Sequence, residues 1–200
     1  MATLIFFATV ITLLALFIQL FIKLLRGKSI LRIAKILAIV ILSYTFLWSI
    51  FYYASNDKPV HFGTDVCFDD WCATITGIER PATLGTPDQL IRPHGQFIIL
   101  HITMSNHARG IAQKPSEPRV HIIDQKGNSY PYSIEAQQAF EKLKGQQIPL
   151  DARLELGQSL ETILVFDLPQ KAVPIKAVIE EGPFITKFLF YDDRQVFLLK

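Results

Sequence analysis

Two long uncharged apolar runs, joined by a short basic segment, constrain this chain more than any other feature. The first run extends from Thr3 to Ile22 and the second from Ile36 to Asn56. At a rise of about 1.5 Å per residue, about 20 helical residues cross the ~30 Å hydrocarbon layer of a membrane. Lipid offers the backbone no hydrogen-bond partners, so a segment within it must be helical. The sequence therefore predicts two transmembrane helices, at about residues 3–24 and 34–55.

The distribution of charge predicts their orientation. The first 56 residues contain five basic residues and no acidic residue, whereas all 18 acidic residues lie at or after Asp57. Short cytoplasmic loops of membrane proteins are enriched in Lys and Arg. We therefore expect a multi-pass membrane protein, with a cytoplasmic turn at about residues 25–33 and residues 56–200 on the extracytoplasmic side. The basic residues that determine this topology are Lys23, Arg26, Lys28, Arg32 and Lys35.

A cleaved signal peptide is the alternative for the first run. Such a peptide has a basic N-terminal region, a shorter apolar core and a small-residue cleavage site. Here no basic residue precedes Lys23, the apolar run is longer, and no Ala-x-Ala site follows. We therefore expect the first helix to remain in the chain.

The two helices are expected to pack on each other. Small residues allow close approach of two helix backbones, and hydroxyl or amide groups can hydrogen-bond across the interface. Each helix has a stripe of such residues at helical spacing. These residues are Ala8, Thr12, Ala15 and Gln19 on the first helix, and Ala34, Ala38, Thr45 and Ser49 on the second.

Residues 56–200 are long enough to form one domain with its own core. They contain 15 basic and 18 acidic residues, so this domain is slightly acidic although the whole chain has a net charge of +2. A surface that binds nucleic acid is expected to be basic. The sequence therefore predicts no nucleic-acid partner.

Both cysteines of the chain lie in the segment Cys67-Phe68-Asp69-Asp70-Trp71-Cys72. If Asp69 and Asp70 form a two-residue turn, Cys67 faces Cys72 across a hairpin, at a Cα separation of ~4.5 Å that a disulfide accepts. The expected extracytoplasmic location favours oxidation. We therefore predict a structural disulfide. Free thiols are one alternative, and a metal or redox site is another, although the cysteine spacing matches no zinc knuckle.

The remainder of the domain is predicted to consist of short strands separated by Pro, Gly, Asp and Asn. In the clearest strand, Gln96–Asn106, every second residue from Ile98 to Met104 is apolar, which is typical of a strand with one buried face. Phe97 and Ile99 lie on its other face and are either a partner surface or covered by a helix predicted at Ser133–Lys144. The other predicted strands are Arg119–Asp124, Tyr130–Tyr132, Leu160–Leu168, Ile175–Glu180, Lys187–Tyr191 and Val196–Leu199. Short strands separated by such turn residues favour a β-sandwich.

Three segments in this order resemble a known family. They are the strand Phe97–Asn106, the apolar-Asp-x-x-Gly-x-x-Tyr segment Ile122–Tyr130, and Leu154–Ser159 leading into Thr162–Pro169. Together they resemble the telokin-like, immunoprotective-antigen family of bacterial extracytoplasmic immunoglobulin-like domains, over residues 95–200. The resemblance implies a β-sandwich on the extracytoplasmic, periplasmic side of a bacterial plasma membrane. It implies neither an enzyme activity nor catalytic residues.

The chain departs from that family at two points. Leu156-Gly157 stands where the family usually has Pro-Gly, and a helical hairpin replaces the usual lipidated cysteine. The fold class expected from all these features is a membrane-anchored all-β protein. It would consist of a two-helix transmembrane hairpin followed by an immunoglobulin-like β-sandwich with one short helix.

Motifs that carry catalysis are missing from the sequence. It contains no nucleophile elbow, phosphate-binding loop, zinc-protease helix or dinucleotide fingerprint. The acidic pairs Asp69-Asp70, Glu180-Glu181 and Asp192-Asp193 are expected to be solvated turn residues rather than paired catalytic carboxylates. We therefore predict no enzyme activity, no cofactor, and no catalytic, cofactor-binding or metal-binding residue.

The histidines are the best candidates for an exception. His101 and His121 lie opposite the apolar faces of their strands, and they would meet if the two strands were neighbours. His94 or His107 would then lie near a strand end. A metal site needs three or four ligands with a supporting second shell, and histidines on exposed strand faces are more often plain surface residues.

Three functions remain open from the sequence. The first is a non-enzymatic, membrane-anchored binding or scaffold module that contacts the lipid bilayer and a protein partner in the cell envelope. The second is an accessory subunit of a larger membrane complex that docks through the helical hairpin. The third is a metal-dependent sensor or enzyme that uses surface histidines. The sandwich pattern and the missing catalytic motifs favour the first.

Overall fold

The computed structural model describes residues 2–54, 57–68, 70–85, 90–182 and 195–199, with the backbone alone for residues 2–5 and 51–54. Contacts within the chain separate it into two units. One unit contains the two N-terminal helices, and the other contains the described strands and a third helix.

The N-terminal unit contains α1 (Ala2–Leu25) and α2 (Leu31–Ala54). Over Phe6–Leu25 and Leu31–Ile50 the two helices are long and apolar enough to cross a membrane, a test that a signal sequence near the N-terminus also meets. α1 ends where Gly27 adopts a left-handed φ of +62°, a conformation that glycine adopts without strain. α2 begins at Leu31 rather than near residue 34.

A seam of larger side chains joins α1 to α2. Of the predicted small-residue stripes, the one on α1 is exposed, and only Ala34 and Ser49 of the one on α2 are partly buried. The partly or fully buried residues of this seam include Thr9, Leu13, Leu16 and Leu20 on α1, and Ile33, Leu37, Val40 and Tyr44 on α2. Alternating spacings of three and four residues let side chains of this size interlock.

The predicted small-residue stripe on α1 is exposed, about a quarter turn away from this seam. Its hydroxyl groups do not need a partner helix. The Thr12 hydroxyl donates to the Ala8 carbonyl at 2.8 Å, and the Thr45 hydroxyl of α2 donates to the Ile41 carbonyl at 2.7 Å. Because each hydroxyl is satisfied within its own helix, packing of the larger side chains decides the interface.

The described strands of the second unit form two sheets, as the β-sandwich prediction required. In chain order the elements are β1 (Lys58–Val60), β2 (Val66–Phe68), β3 (Trp71–Glu79), β4 (Gln96–Asn106), β5 (Arg119–Asp124), β6 (Ser129–Pro131), α3 (Ile134–Lys144), β7 (Ser159–Leu168), β8 (Pro174–Glu180) and β9 (Gln195–Leu198). The five-stranded sheet has the order β1-β9-β8-β5-β6, and the four-stranded sheet has the order β2-β3-β4-β7. β1 and β9 are parallel, and the other neighbouring pairs are antiparallel. The strand predicted at Lys187–Tyr191 lies outside the described residues.

The main core lies between the two sheets. The alternating aliphatic residues of β4 are at most 1% exposed, and they pack against residues of the facing sheet such as Ile122 and Phe197. The predicted inner face of this strand is therefore confirmed. Its members are Ile98, Leu100, Ile102 and Met104.

α3 covers the outer face of the four-stranded sheet. Ser133 caps the helix, because its hydroxyl oxygen accepts the Ala136 N–H at 3.2 Å. Phe97 and Ile99 are buried in a second cluster with Ala136 and Phe140. Of the two alternatives for Phe97 and Ile99, coverage by the helix is the one observed.

The segment with the Asp-x-x-Gly-x-x-Tyr pattern is a closed turn between β5 and β6. One carboxylate oxygen of Asp124 accepts the N–H groups of Lys126 at 2.9 Å and Asn128 at 2.8 Å. The other accepts the Tyr130 hydroxyl at 3.0 Å and the Asn128 side-chain amide at 2.9 Å. Gly127 has a φ of +85°, which suits glycine. The motif that carries the family resemblance is therefore structural.

Candidate functional site

A disulfide between Cys67 and Cys72 closes the β2–β3 hairpin, as predicted. The register pairs Cys67 with Cys72 and Phe68 with Trp71, and the Cα atoms of the cysteines are 3.9 Å apart. Asp69 lies outside the described residues. Cys67 is exposed, whereas Cys72 is buried.

The end of β4 brings a histidine to this hairpin. Cys72 is paired with Ser105, and His107 follows two residues later. The His107 N–H donates to the Asp70 carbonyl at 2.9 Å. The neighbouring Asn106 is buried, and its side chain accepts the Ala108 N–H at 2.8 Å. These bonds hold the backbone of His107 beside the disulfide.

Asp65, immediately before β2, completes what we call the hairpin cluster: Asp65, Cys67, Cys72, Ser105 and His107. Nε2 of His107 lies 2.9 Å from the Ser105 hydroxyl and 3.5 Å from a carboxylate oxygen of Asp65. The potential ligand atoms of Asp65, Cys72 and His107 all lie within 4.8 Å of one another. The side chains of His107 and Asp65 are 56% and 41% exposed, so solvent reaches the cluster.

The cluster contains the residue types of a serine hydrolase without its geometry. In a catalytic triad the hydroxyl and the carboxylate bind different nitrogens of the imidazole, so that the ring can relay a proton. Here Ser105 and Asp65 both approach Nε2. The arrangement therefore does not activate Ser105 as a nucleophile.

The histidines singled out from the sequence do not come together. His101 is on β4 in the four-stranded sheet, and His121 is on β5 in the five-stranded sheet, so the assumption that their strands are neighbours is wrong. Nε2 of His101 lies 2.7 Å from a carboxylate oxygen of Glu79. His94 is also separate from them: its Nδ1 lies 2.8 Å from Asp167, which accepts the His94 N–H as well.

The basic residues predicted to set topology are grouped at one end of the helical unit. Lys23 is in the last turn of α1, Arg26 and Lys28 are in the connection, and Arg32 and Lys35 are in the first turns of α2. Lys23 is partly buried, and the other four are exposed.

A second candidate site is a groove of about 760 Å³ in the sandwich unit. Its walls come from α3, β7 and the segments 114–118 and 146–151. The apolar and aromatic lining residues are Pro115, Pro118, Tyr132, Ile148, Pro149, Leu150 and Leu164. The charged lining residues are Lys114, Glu117, Glu141 and Asp151, so acidic groups outnumber basic ones in the groove.

Glu181 fixes one wall of this groove. One of its carboxylate oxygens accepts the Ser116 N–H at 2.8 Å and the Trp71 indole N–H at 2.8 Å. Lys114, in the same wall, lies 3.5 Å from Asp151. The acidic pair Glu180-Glu181 was expected to be solvated, but Glu181 is partly buried and tethers the groove segment to β3.

The hairpin cluster and the groove were both missed from the sequence. Asp65 and His107 are far from each other in the chain, and they meet because β3 pairs with both β2 and β4. The predicted hairpin was the sequence signal that could have located the hairpin cluster. If the strand that contains Cys72 is placed next to β4, which ends at Asn106, His107 lies beside the cysteines.

Comparisons with known proteins give distant structural similarities. No family model matches the sequence, and no match is found among curated proteins. A secreted protein from Mycobacterium tuberculosis, MPT63, is 12% identical with a TM-score of 0.47, over 72% of this chain and 99% of that chain. An uncharacterized β-sandwich protein from Clostridium difficile 630 is 13% identical with a TM-score of 0.47, over 73% and 96% of the two chains. The yjhA protein from Bacillus subtilis is 19% identical with a TM-score of 0.44, over 70% and 98%.

Proposed function

We propose that this chain is a non-enzymatic, membrane-anchored β-sandwich that binds a protein partner on the extracytoplasmic side of a bacterial plasma membrane. Two apolar helices that flank five basic residues support the anchor and its orientation. The disulfide supports an oxidising compartment. The sandwich and the Asp124 turn agree with the resemblance to the immunoglobulin-like family.

The groove beside α3 is the observation that carries this proposal. Its volume of about 760 Å³ falls in the range of ~300–1,000 Å³ that is typical of ligand sites. Proline and tyrosine side chains give it rigid walls that lose little entropy on binding. Three carboxylates against one lysine favour a cationic occupant, because opposite charges steer association. We therefore propose that it accepts a basic peptide segment of the partner.

Site-specific photocrosslinking in native membranes tests the proposal. A photoreactive amino acid at Tyr132, which lines the groove and is 41% exposed, is expected to capture one defined protein. The same probe at Gln125, in the exposed turn after β5, serves as the control and is expected not to capture it.

Charge reversal tests the chemistry of the partner. Glu117→Lys, at an exposed position of the groove, is expected to reduce capture at Tyr132 several-fold. Glu135→Lys changes the same charge on α3 away from the groove lining, and it is expected to leave capture unchanged. Equal capture by the wild type and both variants would contradict the cationic occupant.

Replacement of α1 and α2 by an unrelated two-helix hairpin separates this function from an accessory role in a membrane complex. Capture at Tyr132 is expected to survive the replacement. If capture is lost, the helices and not the sandwich recruit the partner. Mass measurement of the mature protein completes the test, since the proposed anchor requires that α1 is not cleaved.

A further inference from the structure

We propose that the hairpin cluster is a zinc site that becomes available when the Cys67–Cys72 disulfide is reduced. The two cysteines, His107 and Asp65 then supply two thiolates, one imidazole and one carboxylate. These donors are the ones that Zn²⁺ takes in proteins, in sets of four with tetrahedral geometry. The site is separate from the groove.

The positions of the potential ligands suit a single ion. Zn²⁺ binds Cys sulfur at about 2.3 Å and His nitrogen at about 2.0–2.1 Å, which places neighbouring ligand atoms of a tetrahedron roughly 3.5 Å apart. The ligand atoms of Asp65, Cys72 and His107 already lie within 4.8 Å of one another. Cys67 is bonded to Cys72, so its sulfur lies in the same corner. We expect side-chain rotations, once the S–S bond is broken, to bring the four groups together.

The Cys67–Cys72 disulfide prevents Zn²⁺ from binding at this site. A cysteine binds a metal ion as the thiolate, and neither cysteine can form a thiolate while the two sulfurs are bonded to each other. A dithiol reductant transfers two electrons and two protons, so that the S–S bond breaks, two thiols form and the dithiol becomes a disulfide. Zn²⁺ then displaces the two thiol protons. The oxidised and zinc-bound forms are therefore mutually exclusive.

The surroundings of the cluster meet two further requirements of a metal site. The exposed sides of Asp65 and His107 give the ion a path from solvent, while Cys72 is only 1% exposed. The strand ends on both sides are fixed by β-sheet pairing.

Zinc titration of the full-length protein in detergent micelles tests this proposal. Oxidised and reduced samples compete for Zn²⁺ with a chromophoric chelator, and native mass spectrometry gives the stoichiometry. We expect the reduced protein to bind one Zn²⁺ per chain and the oxidised protein to bind at least 100-fold more weakly. Bound Zn²⁺ should also slow alkylation of both cysteines.

Variants of exposed residues identify the ligands without affecting the core. His107→Ala and Asp65→Ala are each expected to weaken binding by the reduced protein at least tenfold. His101→Ala, which removes another histidine paired with a carboxylate, is the matched control and should bind like the wild type. Circular dichroism checks that each variant is folded. Equal binding by the oxidised and reduced forms, absence of binding by the reduced form, or wild-type affinity of His107→Ala would overturn the proposal.

Discussion

The side chain of Gln137 makes hydrogen bonds with the backbone of β7 at Ile163 and Val165, as a neighbouring β-strand would. Its side-chain oxygen accepts the Val165 N–H at 2.9 Å, and its side-chain nitrogen donates to the carbonyl of Ile163 at 3.0 Å. The Val165 carbonyl accepts the Ser133 N–H at 2.8 Å. β7 is an edge strand, and open edges invite pairing with other chains. α3 therefore closes this part of the edge, so partner binding there by strand addition is not expected.

Substitution of Gln137 tests that closure. Gln137→Ala leaves the buried Val165 N–H without its partner, and we expect it to lower the free energy of unfolding by about 1–3 kcal/mol. Gln138→Ala, at the adjacent exposed position of α3, should change it by less than about 0.5 kcal/mol. Urea unfolding of the full-length protein in detergent micelles, followed by circular dichroism, measures both. Similar effects of the two substitutions would show that the edge contact contributes little.

Gly95 is expected to tolerate no side chain. A Cβ atom at this position would overlap the backbone of Leu168, Pro169 and Gln170, which cannot move aside as a flexible side chain can. We expect Gly95→Ala to destabilise the protein by about 3 kcal/mol or more.

Gly77→Ala is the matched control for Gly95→Ala. Its Cβ would meet the His101 side chain at an ordinary contact distance of 3.5 Å, so the cost should be below about 1.5 kcal/mol. The two variants are compared by their urea midpoints. If Gly95→Ala is as stable as Gly77→Ala, the backbone of the β7–β8 connection can shift at little cost to make room for the added Cβ.

The Asp124 turn should make the protein sensitive to acid. Burial opposes the charge of this carboxylate, but hydrogen bonds from Asn128, Tyr130 and Lys126 outweigh it and hold the pKa of Asp124 below its ordinary value of 3.8. A lowered folded-state pKa contributes stability above pH 3.8, which is lost as the pH falls through the folded pKa. We expect Asp124→Asn to lower stability at pH 7 and to flatten the decline below pH 4. Urea midpoints between pH 2.5 and 7 measure this, with Asp151→Asn as an exposed control that should keep the decline.

His94 should produce the opposite dependence at higher pH. The hydrogen bond and charge of Asp167, with a smaller contribution from the charge of Glu135, raise the pKa of His94 above its ordinary value of 6.5 against a weak effect of burial. A raised folded-state pKa contributes stability that is complete below pH 6.5 and is lost as the pH rises through the folded pKa.

The measurement is the urea midpoint between pH 5.5 and 8.5. We expect a decline in the wild type that is absent from His94→Gln and retained in His61→Gln, a substitution at an exposed histidine before β2. If the urea midpoint of His94→Gln declines as much as that of the wild type, a titrating group other than His94 causes the decline.

Local sequence patterns correctly predicted the structural elements that depend on residues close together in the chain. The alternation in β4, the Ser133 cap of α3 and the Cys67–Cys72 hairpin each depend on residues close together in the chain, so the pattern and the structure agree. The packing of α1 on α2 was not predictable in the same way. Both the small-residue stripe and the heptad seam at Leu13, Leu16 and Leu20 are consistent with the sequence, and only the relative rotation of the helices decides between them.

The candidate site depends on long-range pairing, which no local pattern contains. His101 and His121 have equivalent sequence signals, yet the chain assigns β4 and β5 to different sheets. His107 and Asp65 have weaker signals but meet because β3 lies between β2 and β4. The groove beside α3 likewise depends on two segments without regular structure, which are held by contacts with residues distant in sequence, such as that of Ser116 with Glu181.

The pairing of β1 with β9 has a consequence for synthesis of the chain. β1 directly follows the two helices, but its partner residues are Gln195, Val196 and Phe197. Contacts between residues so distant in sequence form slowly, and this one cannot form until the chain beyond residue 197 has emerged. During translation the five-stranded sheet therefore remains without β9, and the backbone groups of β8 that will pair with it are available to chaperones until late in folding.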